Sequence, residues 1–283
     1  MTQSIRPYRS VLYIPGSNAR ALAKARSLPA DAIIFDLEDA VAVGEKFNAR
    51  KLLGQELATG GYGARVRIVR INAIDSLWGQ DDAEAVCEMQ VDGVLLAKVN
   101  SPDDVSVLAT ITGDIPVWAM METPRGILNA AEIAAHPLVV GFVIGTNDLA
   151  KELGSRNRPD RMPVLSALSL CLLAARAHGV IAIDGVYNAF KDDTGLRAEC
   201  EQGRDMGFDG KSLIHPSQLA TANAVFAPSE ADIRLAHRQI GAFEEAQAEG
   251  RGVAVLDGRI VESLHVESAR KILLQAEAIA AAG

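Results

Sequence analysis

Acidic and basic residues sit at the ends of most apolar runs in this 283-residue chain. The run "AIIF" (32–35) passes into Asp36, Glu38 and Asp39. "VRIVRIN" closes on Arg70 and Asn72, "GVLLAKV" on Lys98, and "PVWAMMET" on Glu122. "GFVIGTND" ends in Asn147 and Asp148, "IAID" holds Asp184, and "GKSLIH" carries Lys211 and ends in His215. Carboxylates brought to one rim from different strands repel one another unless a cation lies among them. Glu122 and Asp148, expected at matching depths on neighbouring strands, are a suitable oxygen pair for Mg2+, which takes one or two carboxylates and keeps waters for a substrate to displace. The same pair would also serve as helix N-caps or as partners of nearby Arg and Lys, and spacing does not separate these readings. Arg70 suits two-point binding of a carboxylate, or a salt bridge to Glu38 or Asp39. Lys98 invites a Schiff-base reading, in which a desolvated amine attacks a carbonyl, but a metal would make that step unnecessary. His215, followed by Pro216, reads as a turn residue bonded to backbone.

These side chains need a frame. The short apolar or β-branched runs fall at 10–15, 32–39, 64–72, 93–99, 116–123, 141–148, 181–188 and 210–215, with Ala-rich helical segments between them. Alternating β and α elements with near-continuous apolar strands indicate a parallel sheet buried on both faces. Eight such units fit a (β/α)8 TIM barrel better than an open doubly wound sheet, and a barrel gathers its site at the C-terminal ends of its strands. The first βα turn, "PGSNAR", lacks the GxGxxG fingerprint of a dinucleotide fold. "GFDGKSLIHPSQ" lacks the spacing of a nucleotide P-loop. From about Pro228 the pattern changes: a helix with Ser229 as N-cap and Asp232 at N3, a turn-rich "GRGVAVLDGRIVES", and a last helix. The chain therefore divides into a barrel catalytic domain over 1–227 and a C-terminal helical lid or extension over 228–283, which covers its own barrel or a neighbour's.

Composition narrows the function classes. Hydrophobic residues make up 49% and charged residues 23%, an ordinary globular balance. The net charge of −8 comes without a basic run or stripe, which argues against nucleic acid as a partner. No apolar stretch approaches the roughly 20 residues that span a bilayer, and the first residues lack a signal-peptide core, so no membrane role is expected. Cys87, Cys171 and Cys200 are scattered, without CxxC or CxxH spacing. That usage suits small buried hydrophobes in a reducing cytoplasm rather than disulfides or zinc.

The motifs "RSVLYIPGSNARAL", "DAIIFDLEDAV", "VRIN", "METPRG", "GTNDL", "AIDGVYNAFKDDTGL" and "MGFDGKSLIHPSQL" occur in this order, followed by "VFAPS". Together, from about Tyr8 to the C-terminal helix, they resemble the citrate lyase β-subunit-like enzymes of the HpcH/HpaI aldolase superfamily. The resemblance implies an Mg2+-dependent TIM barrel that makes or breaks C–C bonds in 3-hydroxyacyl thioesters and assembles as a trimer or hexamer. It places Glu122 and Asp148 on the metal-ligand positions, and Arg70 on the arginine that grips the substrate's carboxylate or keto-acid oxygen. Asp36, Glu38 and Asp39 match an acidic strand end that orders water beside the metal and fixes the arginine. Tyr13, Arg20 and Lys24 match positions lining the CoA channel, and cations near a helix start are suited to phosphate. CoA-lyase relatives take their catalytic acid/base from an Asp in the lid of an adjacent subunit. Here the corresponding stretch is "DGRIVESL", which puts Glu262 in that place, one methylene longer.

The chemistry so implied is cleavage of a citramalyl-, malyl- or citryl-CoA-type ester to acetyl-CoA and a 2-keto acid, with Glu262 protonating the thioester enolate. Two rivals share the same residues. One is a hydroxyacyl-CoA thioester hydrolase that directs water at the acyl group. The other is a β-subunit-like component that acts only with an acyl-carrier partner.

Overall fold

Eight parallel strands close into a barrel in the computed structural model, which describes residues 6–282. They are β1 (Ser10–Pro15), β2 (Ala32–Asp36), β3 (Val66–Ile71) and β4 (Gly93–Leu96). β5 (Val117–Met121), β6 (Val139–Ile144), β7 (Ile181–Asp184) and β8 (Gly210–Leu213) complete the ring, and β8 pairs back onto β1. Each strand lies within or beside an apolar run expected from the sequence. β1 ends with its run, and the other strands stop before theirs.

Side-chain alternation with period two decides which residues face the barrel axis. Val11, Ala32, Ile34, Val66, Ile68, Leu95, Trp118, Met120, Val143 and Ile183 form one buried cluster, with Tyr13 packed against it. Stepping by two along β2 from Ala32 and Ile34 reaches Asp36. The same step along β3 from Val66 and Ile68 reaches Arg70, and along β5 from Trp118 and Met120 it reaches Glu122. Asp36, Arg70 and Glu122 are therefore the polar top layer of an otherwise apolar interior, at the C-terminal rim where barrel enzymes work.

The same parity overturns the expectation that Asp184 and Lys211 belong to that rim. Ile183 points inward, so Asp184 points outward, and Lys211 is its register partner on β8. Both are fully buried between the barrel and its helices. Lys211 Nζ donates to Asp184 Oδ2 at 3.1 Å and to Glu199 Oε1 at 2.7 Å, and Arg161 Nη1 reaches both Asp184 oxygens at 2.7 Å. This is a structural ion cluster. Of the three cysteines, Cys171 and Cys200 are buried as expected, but Cys87 is exposed at the end of its helix.

The residues fall into two compact units, one spanning Tyr8–Ala224 and the other built from Val225 onward. In the second, the helix Glu230–Ala248 begins with the expected capping box: Ser229 Oγ accepts from Asp232 N at 3.1 Å, and Asp232 accepts from Ser229 N at 3.0 Å. The turn-rich segment is a β-hairpin, β9 (Ala254–Leu256) with β10 (Arg259–Val261). Its loop is Asp257-Gly258, both at positive φ (49° and 73°), the pair that tight hairpins favour. The last helix, Ser263–Ala282, follows, and Phe243, Ala246, Ala254, Val261 and Val266 make a small core of this unit's own. No helix among the described residues is long and apolar enough to cross a membrane.

Candidate active site

Register fixes the first pairing. Asp36 and Arg70 are opposite one another on β2 and β3. Arg70 Nε donates to Asp36 Oδ1 at 2.7 Å and Nη2 to Oδ2 at 2.6 Å, a two-point contact buried at the rim. Nη1 lies 2.7 Å from Glu38 Oε2, close enough for an ion pair although its angle makes no hydrogen bond, and 3.6 Å from Asp39. Under the guanidinium lies the Tyr13 ring, with the cation 5.0 Å from its centroid. The salt-bridge alternative for Arg70 is therefore the one the structure contains, with Asp36 as a partner as well as Glu38. Arg70 is anchored by acids on one side, yet it lines an open cavity, and a guanidinium has five N–H groups, more than these contacts use.

The acid turn itself is held from behind. Asp36 accepts from the backbone N–H of Glu38 at 2.9 Å and of Ala40 at 3.1 Å. Lys46, buried eight residues after Glu38, donates to the carbonyls of Leu37 (2.8 Å) and Glu38 (2.7 Å) and to Asn72 Oδ1 (2.9 Å). Asn72 in turn donates to Leu37 O at 3.0 Å and to the buried Asp82. Sequence reasoning missed Lys46, because nothing in "GEKFNARK" distinguishes it from a solvated helix lysine.

Lys98 lies two residues past β4 in the left-handed region, φ 55°. This turn points its backbone N–H at Glu122 Oε1, 2.8 Å away, while Nζ makes a short contact with Glu38 Oε1. Burial alone would lower the Lys98 ammonium, but the bond and the charge of Glu38 outweigh it and hold it above the ordinary lysine range. A lysine held charged is a poor nucleophile, which removes the ground for a Schiff base.

Glu122 is fully buried, and its Oε2 has no hydrogen-bond partner. Burial, with the nearby Glu38 charge, pushes its carboxyl up to about 7. It packs against Gly145, where a Cβ would fall 2.6 Å from Oε2, so only glycine allows this approach. Gly145 lines the cavity and precedes the helix Thr146–Glu152, whose first turn carries Asp148. Asp148 is therefore not on β6 at the depth of Glu122. It stands on the helix above the strand end, at the edge of the same cavity. Tyr13, Asp36, Asp39, Arg70, Met120 and Asp148 are among the residues surrounding that space of about 360 Å³.

An orphaned carboxylate oxygen at Glu122, with Asp148 lining the cavity that Gly145 borders, suits a hard divalent cation. No group of three or more His, Cys, Asp or Glu among the described residues is arranged as a metal cage. Two protein ligands are the number that Mg2+ uses when waters and substrate complete its shell.

Arg20 and Lys24 are exposed on the helix Ala19–Ala25 that follows β1, and neither lines this cavity. Glu262 follows β10 in the C-terminal unit, exposed, with its backbone N–H donating to His265 Nδ1 at 3.1 Å. His215 caps a short turn, Nδ1 accepting from Ser217 N at 3.1 Å, as the following proline suggested.

Residues 9–216 match the family model for HpcH/HpaI aldolase/citrate lyase. The chain belongs to that family. It is 64% identical over 281 residues to a (3S)-malyl-CoA thioesterase of Cereibacter sphaeroides strain KD131, covering 99% of each. It is 36% identical to the citrate lyase subunit beta of Escherichia coli K12, over 96% of this chain and 94% of that one. Among solved structures it resembles CitE of Mycobacterium tuberculosis in complex with magnesium, acetoacetate and coenzyme A. There the TM-score is 0.83 at 33% identity, over 95% of this chain and 97% of that one.

Proposed function

We propose that this protein is a Mg2+-dependent hydrolase of a 3-hydroxy-dicarboxylic acyl-CoA of the (3S)-malyl-CoA type. The observation that carries the reading is the buried, partnerless Oε2 of Glu122, packed against Gly145, which lines a cavity together with Asp148 and Arg70. Full-length identity of 64% to a protein named (3S)-malyl-CoA thioesterase supports hydrolysis over C–C cleavage. Glu122 and Asp148 are the proposed ligands of the ion, which when bound supplies Lewis-acid polarisation of an acyl or keto oxygen. Arg70 holds the substrate carboxylate, kept rigid by Asp36 and Glu38 so that little reorganisation is needed when charge develops. Asp39, exposed and lining the cavity, orients the attacking water. The C–S bond breaks, the water supplies the oxygen of the new carboxylate, the leaving thiolate takes a proton from the acid, and the water's two protons go to restore that acid and to the medium. Glu262, through the lid of a neighbouring copy in a homo-oligomer, is the proposed proton donor. Arg20 and Lys24 hold the phosphates of CoA, and Tyr13 supports Arg70 from below.

A lyase is the second reading, favoured by the family and by the citrate lyase beta relatives. The same polarised oxygen and Arg70 would then stabilise cleavage to acetyl-CoA and a 2-keto acid. Incubating purified protein with (3S)-malyl-CoA and Mg2+ and resolving the products by mass spectrometry separates the two. Free CoA with intact malate, lost on chelation, is the expected result. Acetyl-CoA with glyoxylate would overturn hydrolysis in favour of the lyase. No turnover, with rescue by an acyl-carrier protein, would make the chain a component of a complex.

A further inference from the structure

A second cavity, also about 360 Å³, adjoins the first and shares Thr146, Asn147 and Val186 with it. Asn147 and Asn188 close the common wall by exchanging amide hydrogen bonds of 3.2 and 2.8 Å. Its outer side is the loop "SRNRPDR", which brings Arg156, Arg158 and Arg161 to the lining. The acid among the lining residues is Glu199, which Lys211 already engages at 2.7 Å.

Two features point to a ligand there. Arg161 is 5% exposed and held in the left-handed region, φ 54°, a conformation that non-glycine residues adopt where the surroundings enforce it. Its Nη1 and Nε are used on Asp184 and Gln202, but its buried Nη2 has no partner. A buried donor left unpaired is unfavourable, so an acceptor is called for next to Arg161, which lines this cavity. Arg156 makes no ion pair or hydrogen bond among the described residues. The remaining wall is apolar, with Ala150, Pro163, Val164 and Val186. Guanidinium groups match planar carboxylates, and apolar walls suit a carbon chain better than a fully hydrated inorganic anion.

We infer that this second cavity is a binding site for a small dicarboxylate, separate from the metal-flanking cavity and in contact with it through Asn147, the residue before Asp148. The inference stands on Arg156, Arg158 and Arg161, and does not depend on which reaction the first cavity performs.

The test is calorimetric titration of malate into the full-length protein after EDTA treatment, so that the first cavity holds no metal. Saturable binding is expected in wild type. The double variant Arg156→Gln/Arg158→Gln should weaken it about tenfold or more, and Asp148→Asn should leave it unchanged. Among the described residues the ion pair removed is the exposed one between Arg158 and Asp160, so circular dichroism should show an intact fold. Absence of malate binding without metal would overturn the site, as would equal affinity in the double variant or loss in Asp148→Asn. Inorganic phosphate binding as tightly as malate would overturn the dicarboxylate assignment.

Discussion

Lys98 donates its backbone N–H to Glu122 Oε1 at 2.8 Å, and Oε2 of the same carboxylate is buried without a partner. The Glu122→Gln variant keeps an oxygen for Lys98 and loses the charge, so it should fold. Removing one anion from the proposed two-carboxylate site should lower Mg2+ affinity and turnover roughly 100-fold or more, beyond the 10–100-fold typical of outer-shell changes. Asp148→Asn should behave alike. Mg2+ titration calorimetry with initial rates checks this, and unchanged metal dependence in either variant would sink the assignment.

Gly145→Ala tests the same geometry from the other side. The added methyl would sit 2.5 Å from Glu122 Cβ and 2.6 Å from Oε2, so the carboxylate must move. Overpacking of this kind costs about 1–3 kcal/mol of stability. The expected outcome is a folded protein, by thermal unfolding, whose Mg2+ affinity falls further than its stability explains.

The ammonium of Lys98 is tied to Glu38 and kept charged. Treatment with pyruvate or glyoxylate and borohydride should therefore leave the intact mass unchanged. A reduced adduct on Lys98 would restore the amine-nucleophile reading.

Glu262 is exposed on the short segment after β10, so Glu262→Gln should not disturb folding. If it supplies a proton only during the chemical step, kcat should drop about 100-fold or more with KM nearly unchanged. Full activity in this variant would make the carboxylate incidental.

Most of the candidate site was legible from the chain, for a reason that can be stated strand by strand. Asp36, Arg70 and Glu122 each continue a period-two inward phase, Ala32–Ile34, Val66–Ile68 and Trp118–Met120, so a barrel must place them at its rim. The same rule, applied to Ile183, excludes Asp184 and Lys211, and reading strand ends without parity misplaced both. Asp148 was legible as a polar residue after β6 but not as a helix residue, because strand alternation stops at Gly145. Lys46 was hidden: its role depends on where the helix Lys46–Thr59 begins relative to the acid turn, and no periodicity encodes that. The hairpin was foreshadowed by Asp257-Gly258, whose left-handed pair a turn-rich reading passed over.

The outward-facing cluster gives the last prediction, and its sign follows from charge. Burial would raise the Asp184 carboxyl, but Lys211 and Arg161 outweigh burial and hold it below the ordinary carboxylate value. A depressed folded value means the unfolded chain binds the proton more readily. The stabilisation is then complete above the unfolded Asp value, about 3.9, and is lost as pH falls toward the folded one. Lys211 has the opposite sign: Asp184 and Glu199 outweigh its burial and raise it, so its share fades only in strong alkali. Asp184→Asn should destabilise the protein at pH 7 by about 3–5 kcal/mol, because it leaves Lys211 buried without its main counter-charge. The same variant should lose less additional stability than wild type below pH 4, since the titrating group is gone. Urea unfolding at pH 7 and across pH 3–5 measures both effects, and parallel acid limbs in the two proteins would show that Asp184 does not carry the pH dependence.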